Sequence, residues 1–480
     1  MAGTKTLHVG SLAPVNALDP REAQDYVTAL AVMQVFETPY AQPTATGRPP
    51  EPLLFQERLR QETASGGSDG ATRYSAAIRP DVRFSNGTPM TAQHVVDSLM
   101  KSATLREQAD VEARDGRVFF RLKRPNARFD LVLARRFCGV TLDAGGVLLG
   151  TGPYVLAPGS TPERTRLTRN PHFRKPPAID EIVFQAYPPD VQGRPEALIN
   201  ALEAGEVDFT NILSREDIMR VKNVRRWTEP GSSTAILYMN TERPGLDDVR
   251  VRRAIALSID RLEIAKMFYT SATAFAATCL LPPMLGRGSD GITYDPGKAR
   301  TLITAPGVRK PDRLSLLLIF GPRPYLPNPR RVGETLAAQI EKLGIAVTLV
   351  PTATSQEYYA KAQRGDYDLA LAGWITDTLD PVDFLEATLG SESIPMPHRQ
   401  SVVGANLGRW KNPDTDEVLA RLRQEPREDL RSSFLRRVGD EAPLLPLIYG
   451  ATIFAHSAKV KNFAPSPLGK PNFADLDLQE

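Results

Sequence analysis

A chain of 480 residues, 41% of them hydrophobic, carries enough apolar material for two or three substructures with cores of their own. Its 59 basic and 56 acidic residues leave a formal charge of +3, and its short basic clusters, Lys222–Arg226 and the group Arg431, Arg436 and Arg437, lack interleaved aromatics. Nucleic acid is therefore not an expected partner. No apolar run approaches the roughly 20 residues that a membrane-crossing helix needs.

Thr6–Gly10 reads as an opening strand and leads into the turn-rich Ser11–Pro20. Met1–Leu7 has Lys5 as its only basic residue, and Thr6–Leu18 is broken by Pro14 and Asn16, so no export signal is expected here. That leaves open both a mature chain and a cytoplasmic protein. Leu30, Met33 and Val35 predict a helix over Ala23–Glu37. After the proline- and threonine-rich Gln42–Pro52 come short strands, Arg73–Ile78, Val82–Phe84 and Val118–Leu122, with a polar loop at Glu62–Gly70. One helix interrupts them, started by Thr91 and with Val95, Val96 and Leu99 on its apolar face.

A tight turn at Leu149–Tyr154 feeds the next strand. Its Gly150 and Gly152 resemble a phosphate loop only superficially, because the lysine, hydroxyl and further glycine spacing of nucleotide loops are missing. The strand Glu181–Tyr187, a helix over Arg194–Glu203 ended by Gly205, and Val207–Phe209 predict an alternating α/β unit. Thr234–Asn240 opens a second one. Val251, Ile255, Ile259 and Leu262 predict one continuous helix over Asp248–Phe268. Asn328 is placed to cap a helix opened by Pro329, because its side-chain oxygen accepts a free amide while the proline ring fixes a helical φ. Val332, Leu336, Ile340 and Leu343 give that helix its buried stripe, Gly344 ends it, and Ile345, Val347 and Leu349 alternate as a strand. The helix Ser355–Gln363, Gly365 and the strand Tyr367–Ala372 repeat the pattern, which predicts a partly parallel sheet covered on both faces. A final helix near Thr415–Leu422 is followed by the apolar strand Leu444–Tyr449 and a tail that returns to the first lobe.

The chemistry-bearing residues are dispersed. His8, His94, His172, His398 and His456 form no compact ligand series, so no metal and no cofactor is expected. Cys138 and Cys279 suit either one disulfide or two buried thiols. No arrangement of nucleophile, base and orienting group is legible, and no catalytic residue is assigned.

Several landmarks, taken in order, carry a resemblance. They are Asn16-Ala17-Leu18-Asp19-Pro20, Ser85-Asn86-Gly87-Thr88-Pro89-Met90-Thr91-Ala92, Gly150-Thr151-Gly152-Pro153-Tyr154 and Arg169-Asn170-Pro171-His172-Phe173. Later ones are Leu202–Asp208, Asn240-Thr241, Asp248–Arg253, Ser258-Ile259-Asp260-Arg261 and Gly365-Asp366-Tyr367-Asp368-Leu369. Their order is similar to that of the extracytoplasmic solute-binding proteins of the peptide/nickel class used by ABC importers. The resemblance implies an α/β, two-lobed periplasmic-binding-protein-like fold with a hinge and a small inserted subdomain. It implies a first lobe from residues 1–38 and 150–231, an inserted subdomain at 39–149, a second ligand-binding lobe at 232–444, and a return at 445–480. Met100–Ala113 leaves the insertion short.

The function so implied is non-catalytic: a small peptide or peptide-like solute is enclosed as the lobes close, and a monomer delivers it to the membrane subunits of an ABC importer outside the cytoplasm. The alternatives are a cytoplasmic enzyme or regulator on the same fold, or a binder of a nickel complex or other small polar solute. In peptide-binding relatives that Gly373–Pro381 resembles, the acidic residue corresponding to Asp377 pairs with the peptide amino terminus. A charge-assisted hydrogen bond there favours a cationic group in the solute. A capping or solvated aspartate is the other reading of Asp377. Trp374 offers planar apolar area to a ligand or to the core. Asp380, followed by Pro381, suits either ligand contact or helix initiation, and Asn16 either a ligand bond or a turn. Tyr325 and Arg323 form a candidate aromatic and cationic rim, and Arg399 is a further candidate for a carboxylate.

Overall fold

The computed structural model describes residues 4–23, 25–43, 48–62, 72–191, 194–286, 288–321, 323–376, 378–397, 405–466 and 468–479. The chain divides into two compact units, one of residues 1–228 and 453–480, the other of residues 229–452. It passes from one to the other twice, within the strands Arg225–Met239 and Leu444–His456.

In the first unit, the strand Thr6–Ser11 runs parallel to Glu181–Ala186, with Val9 opposite Phe184, and to Phe209–Thr210. Antiparallel strands Arg164–Arg169 and Tyr154–Leu156 extend one side, and the end of Leu444–His456 pairs with Phe209–Thr210 on the other. Leu7, Val9, Ile182, Phe184 and Phe209 form the core with the helix Tyr26–Val35 and with Phe473 from the tail. Asp25 caps that helix, accepting from the Thr28 amide at 2.8 Å. Gln34 fastens the tail, accepting from the Phe473 amide at 3.0 Å and donating to the Pro471 carbonyl at 3.3 Å. The tail therefore belongs to this unit.

Within the same unit, a separate core gathers Tyr40, Phe55, Phe84, Val95, Leu99, Phe120, Phe129 and Cys138. It is built on an antiparallel sheet of Arg60–Gln61, Arg73–Ala77, Arg117–Leu122 and Ala109–Arg114, covered by the helix Ala92–Met100. Thr91 caps that helix, and His94 returns a bond to the Thr91 amide, so both ends of a capping box are made. Val82–Phe84, predicted as a strand, is a turn region with a single bridge between Arg83 and Pro89. Val82 and Phe84 are buried all the same, which is what gave them the look of a strand.

The second unit has the strand order Ala346–Val350, Arg313–Leu318, Leu369–Ile375, Arg225–Met239, Leu444–His456. The first two pairings are parallel and the third is antiparallel, with Thr234 opposite Trp374. The helices Pro329–Glu341 and Ser355–Arg364 make the crossovers. Gly344 at φ +73° and Gly365 at φ +71° end them in the left-handed region. The single helix predicted over Asp248–Phe268 is two, Val249–Ser258 and Arg261–Lys266. Asp260 breaks it by capping the second piece, accepting from Leu262 at 2.9 Å and Glu263 at 3.2 Å. A helix not anticipated from the sequence, Glu428–Glu441, follows Pro413–Gln424.

Candidate functional site

Because Arg313–Leu318, Ala346–Val350 and Leu369–Ile375 are parallel, the chain leaves all three at one edge of the second unit's sheet. In open α/β sheets, ligands bind outside that carboxyl edge. The segments that leave it carry most of the residues singled out from the sequence. Trp374 is half-buried near the end of its strand. The Thr234 opposite it is wholly buried, its hydroxyl donating to the Leu280 carbonyl at 3.0 Å. The neighbouring Gly373 is obligatory: a Cβ there would lie 2.6 Å from the Tyr325 ring and 2.3 Å from the Thr234 carbonyl oxygen. Tyr325 thus packs flush on the strand that presents Trp374. It is 5% exposed, and burial holds its hydroxyl proton well above the usual tyrosine range. Arg323 closes the same loop through reciprocal backbone bonds with Leu326, at 3.0 and 2.9 Å.

Beyond the strand, the chain is braced on both sides of position 377. The Thr376 amide donates to the Ser232 carbonyl at 2.8 Å. The Thr376 hydroxyl donates to the Thr378 carbonyl at 2.6 Å, and the Thr378 hydroxyl donates to Asp383 at 2.8 Å while accepting from the Asp380 amide at 3.2 Å. Arg423 holds the far side, bonding Asp383 at 3.1 Å and gripping both oxygens of Glu386. Burial opposes its charge, yet Glu386, Asp383 and Asp380 keep the guanidinium well above its ordinary range.

Asp380 is 3% exposed and caps the helix Pro381–Leu389, accepting from the Val382 amide at 3.0 Å. Of its two sequence readings, the cap is what the fold uses. Asn16 lies in the first unit, exposed, with its amide side chain on Asp25 at 2.9 Å and its backbone N–H on the Thr28 hydroxyl at 2.9 Å. It ties the turn to the first helix. Asp377 and Arg399 lie outside the described residues.

The glycine turn serves packing. A Cβ on Gly150 would lie 2.0 Å from the Val35 carbonyl oxygen, and one on Gly152 would lie 2.6 Å from the same atom. The Asn170 side chain donates to the Gly152 carbonyl at 2.8 Å, and the His172 ring covers Gly87, at φ +86°. Three of the sequence landmarks are therefore one structural node. Cys138 and Cys279 are both free and buried, in cores of different units. Among the described residues, no group of three or more His, Cys, Asp or Glu side chains is placed to hold a metal, and no helix is long and apolar enough to cross a membrane.

The sequence reading missed the exposed Phe320, Tyr359 and Ile375 at the same strand edge, and the Arg423 brace. Only the parallel topology reveals that the three apolar residues belong together.

The dipeptide-binding protein of Escherichia coli strain K12 is 28% identical over 387 residues, covering 76% of this chain and 70% of that protein. Di/tripeptide-binding protein 2 of Pseudomonas aeruginosa strain UCBPP-PA14 is 26% identical over 460 residues, covering 89% of this chain and 84% of that one. The structure of HbpA2 from Haemophilus parasuis superposes with a TM-score of 0.83 at 21% identity, over 99% of this chain and 100% of that one, which establishes the fold. The sequence profile described as bacterial extracellular solute-binding proteins, family 5, middle, matches residues 61–395, well over half of the 480. The chain belongs to family 5 of the bacterial extracellular solute-binding proteins.

Proposed function

We propose that this chain captures a small peptide outside the cytoplasm and presents it to an ABC importer, with the peptide amino group on Asp377 and its body against Trp374. The observation that carries this reading is the braced segment at the carboxyl edge of the parallel strands, bonded at Thr376 and Thr378 on either side of position 377. Anchoring at Thr376 and Thr378 lowers the entropic cost of ordering the flanks of this segment on binding. The names of the two curated relatives described above, a dipeptide-binding and a di/tripeptide-binding protein, support the same solute class. Arg323 and Arg399 are the proposed partners of the peptide carboxylate, and Asp380 acts through the cap that fixes the following helix.

Solute binding favours a closed state of the two lobes, which the importer distinguishes from the empty one. The lobe layout is the one given above, with 39–149 as the inserted subdomain and a monomer as the working form. Membership in an extracellular family supports this place of work over a cytoplasmic enzyme or regulator.

Calorimetric titration tests the reading. A free dipeptide is expected to bind, and its N-acetylated form to bind about tenfold to a hundredfold more weakly, the worth of a charge-assisted hydrogen bond of about 1.5–3 kcal/mol. Asp377→Asn is expected to erase most of that difference. Equal binding of free and acetylated peptides removes Asp377 from the amino-terminal role, and no binding across a peptide library rejects the peptide assignment.

A further inference from the structure

The described residues of the second unit expose four large apolar side chains, Tyr294, Phe320, Tyr359 and Ile375. Three of the four lie at the carboxyl edge of the parallel strands. Phe320, 43% exposed, follows Arg313–Leu318 by two residues, and Ile375, 41% exposed, ends Leu369–Ile375. Tyr359, 56% exposed, lies in the first turns of the helix that follows Ala346–Val350. The segments are joined at this edge: the Thr352 hydroxyl donates to the Leu318 carbonyl at 3.1 Å, and the Ile319 amide donates to the Leu371 carbonyl at 3.3 Å. Tyr358, fully buried, packs edge to face on Tyr359 at 5.6 Å and fixes where that ring is displayed.

The amino edge of the same strands has the opposite character. There Arg243 pairs with Asp368 at 3.2 Å, and Arg309 and Lys310 line a cavity with Glu242 and Asp247. Among the described residues of the second unit, three of the four exposed large apolar side chains thus lie at the end of the sheet that carries Trp374. Scattered exposed apolar residues need no explanation, but a group of this kind marks a surface that is covered in use.

We infer that Phe320, Tyr359 and Ile375 select the solute, and that the peptides this chain prefers carry a bulky apolar side chain. The inference rests on the peptide reading above and adds to it the class of side chain. The occupant is the solute because the three residues lie on the segments that leave the same carboxyl edge as Trp374. Lining a site with apolar area favours a side chain that removes that area from water, and offers nothing to a short or charged one.

Dipeptides of one length separate the two claims. Titrating the full chain with Ala-Ala, Ala-Glu, Ala-Leu and Ala-Phe, we expect the last two to bind about tenfold to a hundredfold more tightly than the first two. Phe320→Ser and Tyr359→Ser, each checked for an unchanged melting temperature, are expected to pull the Ala-Phe to Ala-Ala ratio towards one. Tyr294→Ser, which alters an exposed aromatic on none of the segments that leave the three parallel strands, is expected to leave the ratio as it is. All four peptides binding within twofold of one another, or a ratio untouched by both edge substitutions, overturns the inference and leaves peptide binding standing. Failure of every dipeptide to bind overturns both.

Discussion

Replacing Arg423 by methionine keeps an unbranched apolar stem and deletes a charge that several carboxylates share. Arg423 bonds Asp383 at 3.1 Å and Glu386 through both oxygens, and the charge of Asp380 also acts on it. The side chains of Arg423, Asp383 and Glu386 are 18%, 15% and 34% exposed, so the cluster is mostly out of water. Breaking a buried pair by removing one partner costs about 3–5 kcal/mol, because the remaining charge is left uncompensated. Solvent reaches Glu386 and screens part of this, which puts R423M near the lower end, about 3 kcal/mol. Asp383 also accepts from Thr378, whose hydroxyl supports the Asp380 amide, so the loss spreads into residues 376–380 and is expected to weaken peptide binding as well. Urea unfolding of the second unit, followed through Trp374 and Trp410, measures the first effect, and calorimetry the second. The decisive arm is R423M/D383N/E386Q, which also removes the two carboxylate charges that face Arg423 while keeping an acceptor oxygen at each position. It is expected to recover about half of the lost stability, in line with the near-neutral exchange of whole buried ion clusters for uncharged residues. A single variant within about 0.5 kcal/mol of the parent, or a triple variant no better than the single one, refutes this account of the brace.

Gly150→Ala sets a Cβ 2.0 Å from the Val35 carbonyl oxygen, a backbone atom that cannot rotate aside. A loss of about 3 kcal/mol in the first unit is expected by thermal unfolding, and a loss under 1 kcal/mol removes the packing argument for this turn. Burial raises the Glu37 carboxyl above the ordinary glutamate value even though Arg174 opposes the rise. The folded chain therefore holds that proton more tightly than the unfolded chain. The contribution is fully present below the unfolded value and is lost as pH rises through the higher folded one. The melting temperature of the parent minus that of Glu37→Gln is expected to fall as pH is raised through that window, and a flat difference contradicts the assignment. Burial also pushes both thiols up, Cys138 at 0% exposed and Cys279 at 1%. A disulfide-exchange thiol reagent is expected to react with either one only after unfolding, and rapid labelling of the native chain would show that a core is open.

What could be read from the sequence was whatever depends on neighbours in the chain. Thr91, Asn328 with Pro329, and the stops at Gly205, Gly344 and Gly365 are short-range devices, and each falls where its chemistry placed it. The misreadings share a cause. The apolar spacing of Val251, Ile255, Ile259 and Leu262 continues across Asp260, so periodicity alone could not show that Asp260 caps a second helix. Glu428–Glu441 opens on charge, and its buried Phe434, Leu435 and Val438 form too narrow a stripe to stand out. Arg225–Met239 begins nine residues before the predicted Thr234 because Pro230 and Gly231 disguise its first half.

The candidate site divides along the same line. Trp374, Tyr325 and Arg323 were visible because each stands in a distinctive local string, and Asp377 entered only through the resemblance of its segment. Phe320, Tyr359 and Ile375 lie up to 55 positions apart and follow no motif. They come to the same edge because two parallel pairings point three strand ends the same way, a consequence of crossover topology rather than of composition. The specificity of a binding fold is thus harder to read from sequence than its family. Family landmarks such as Gly150, Gly152 and Asn170 are packing nodes, the glycines with a carbonyl 2.0 and 2.6 Å from where a Cβ would be and Asn170 bonded to the Gly152 carbonyl, and tolerate little change. Edge residues at the ends of strands contact solvent in the empty protein, so substituting them costs little stability. They can therefore vary with the solute while the frame that carries them stays recognisable.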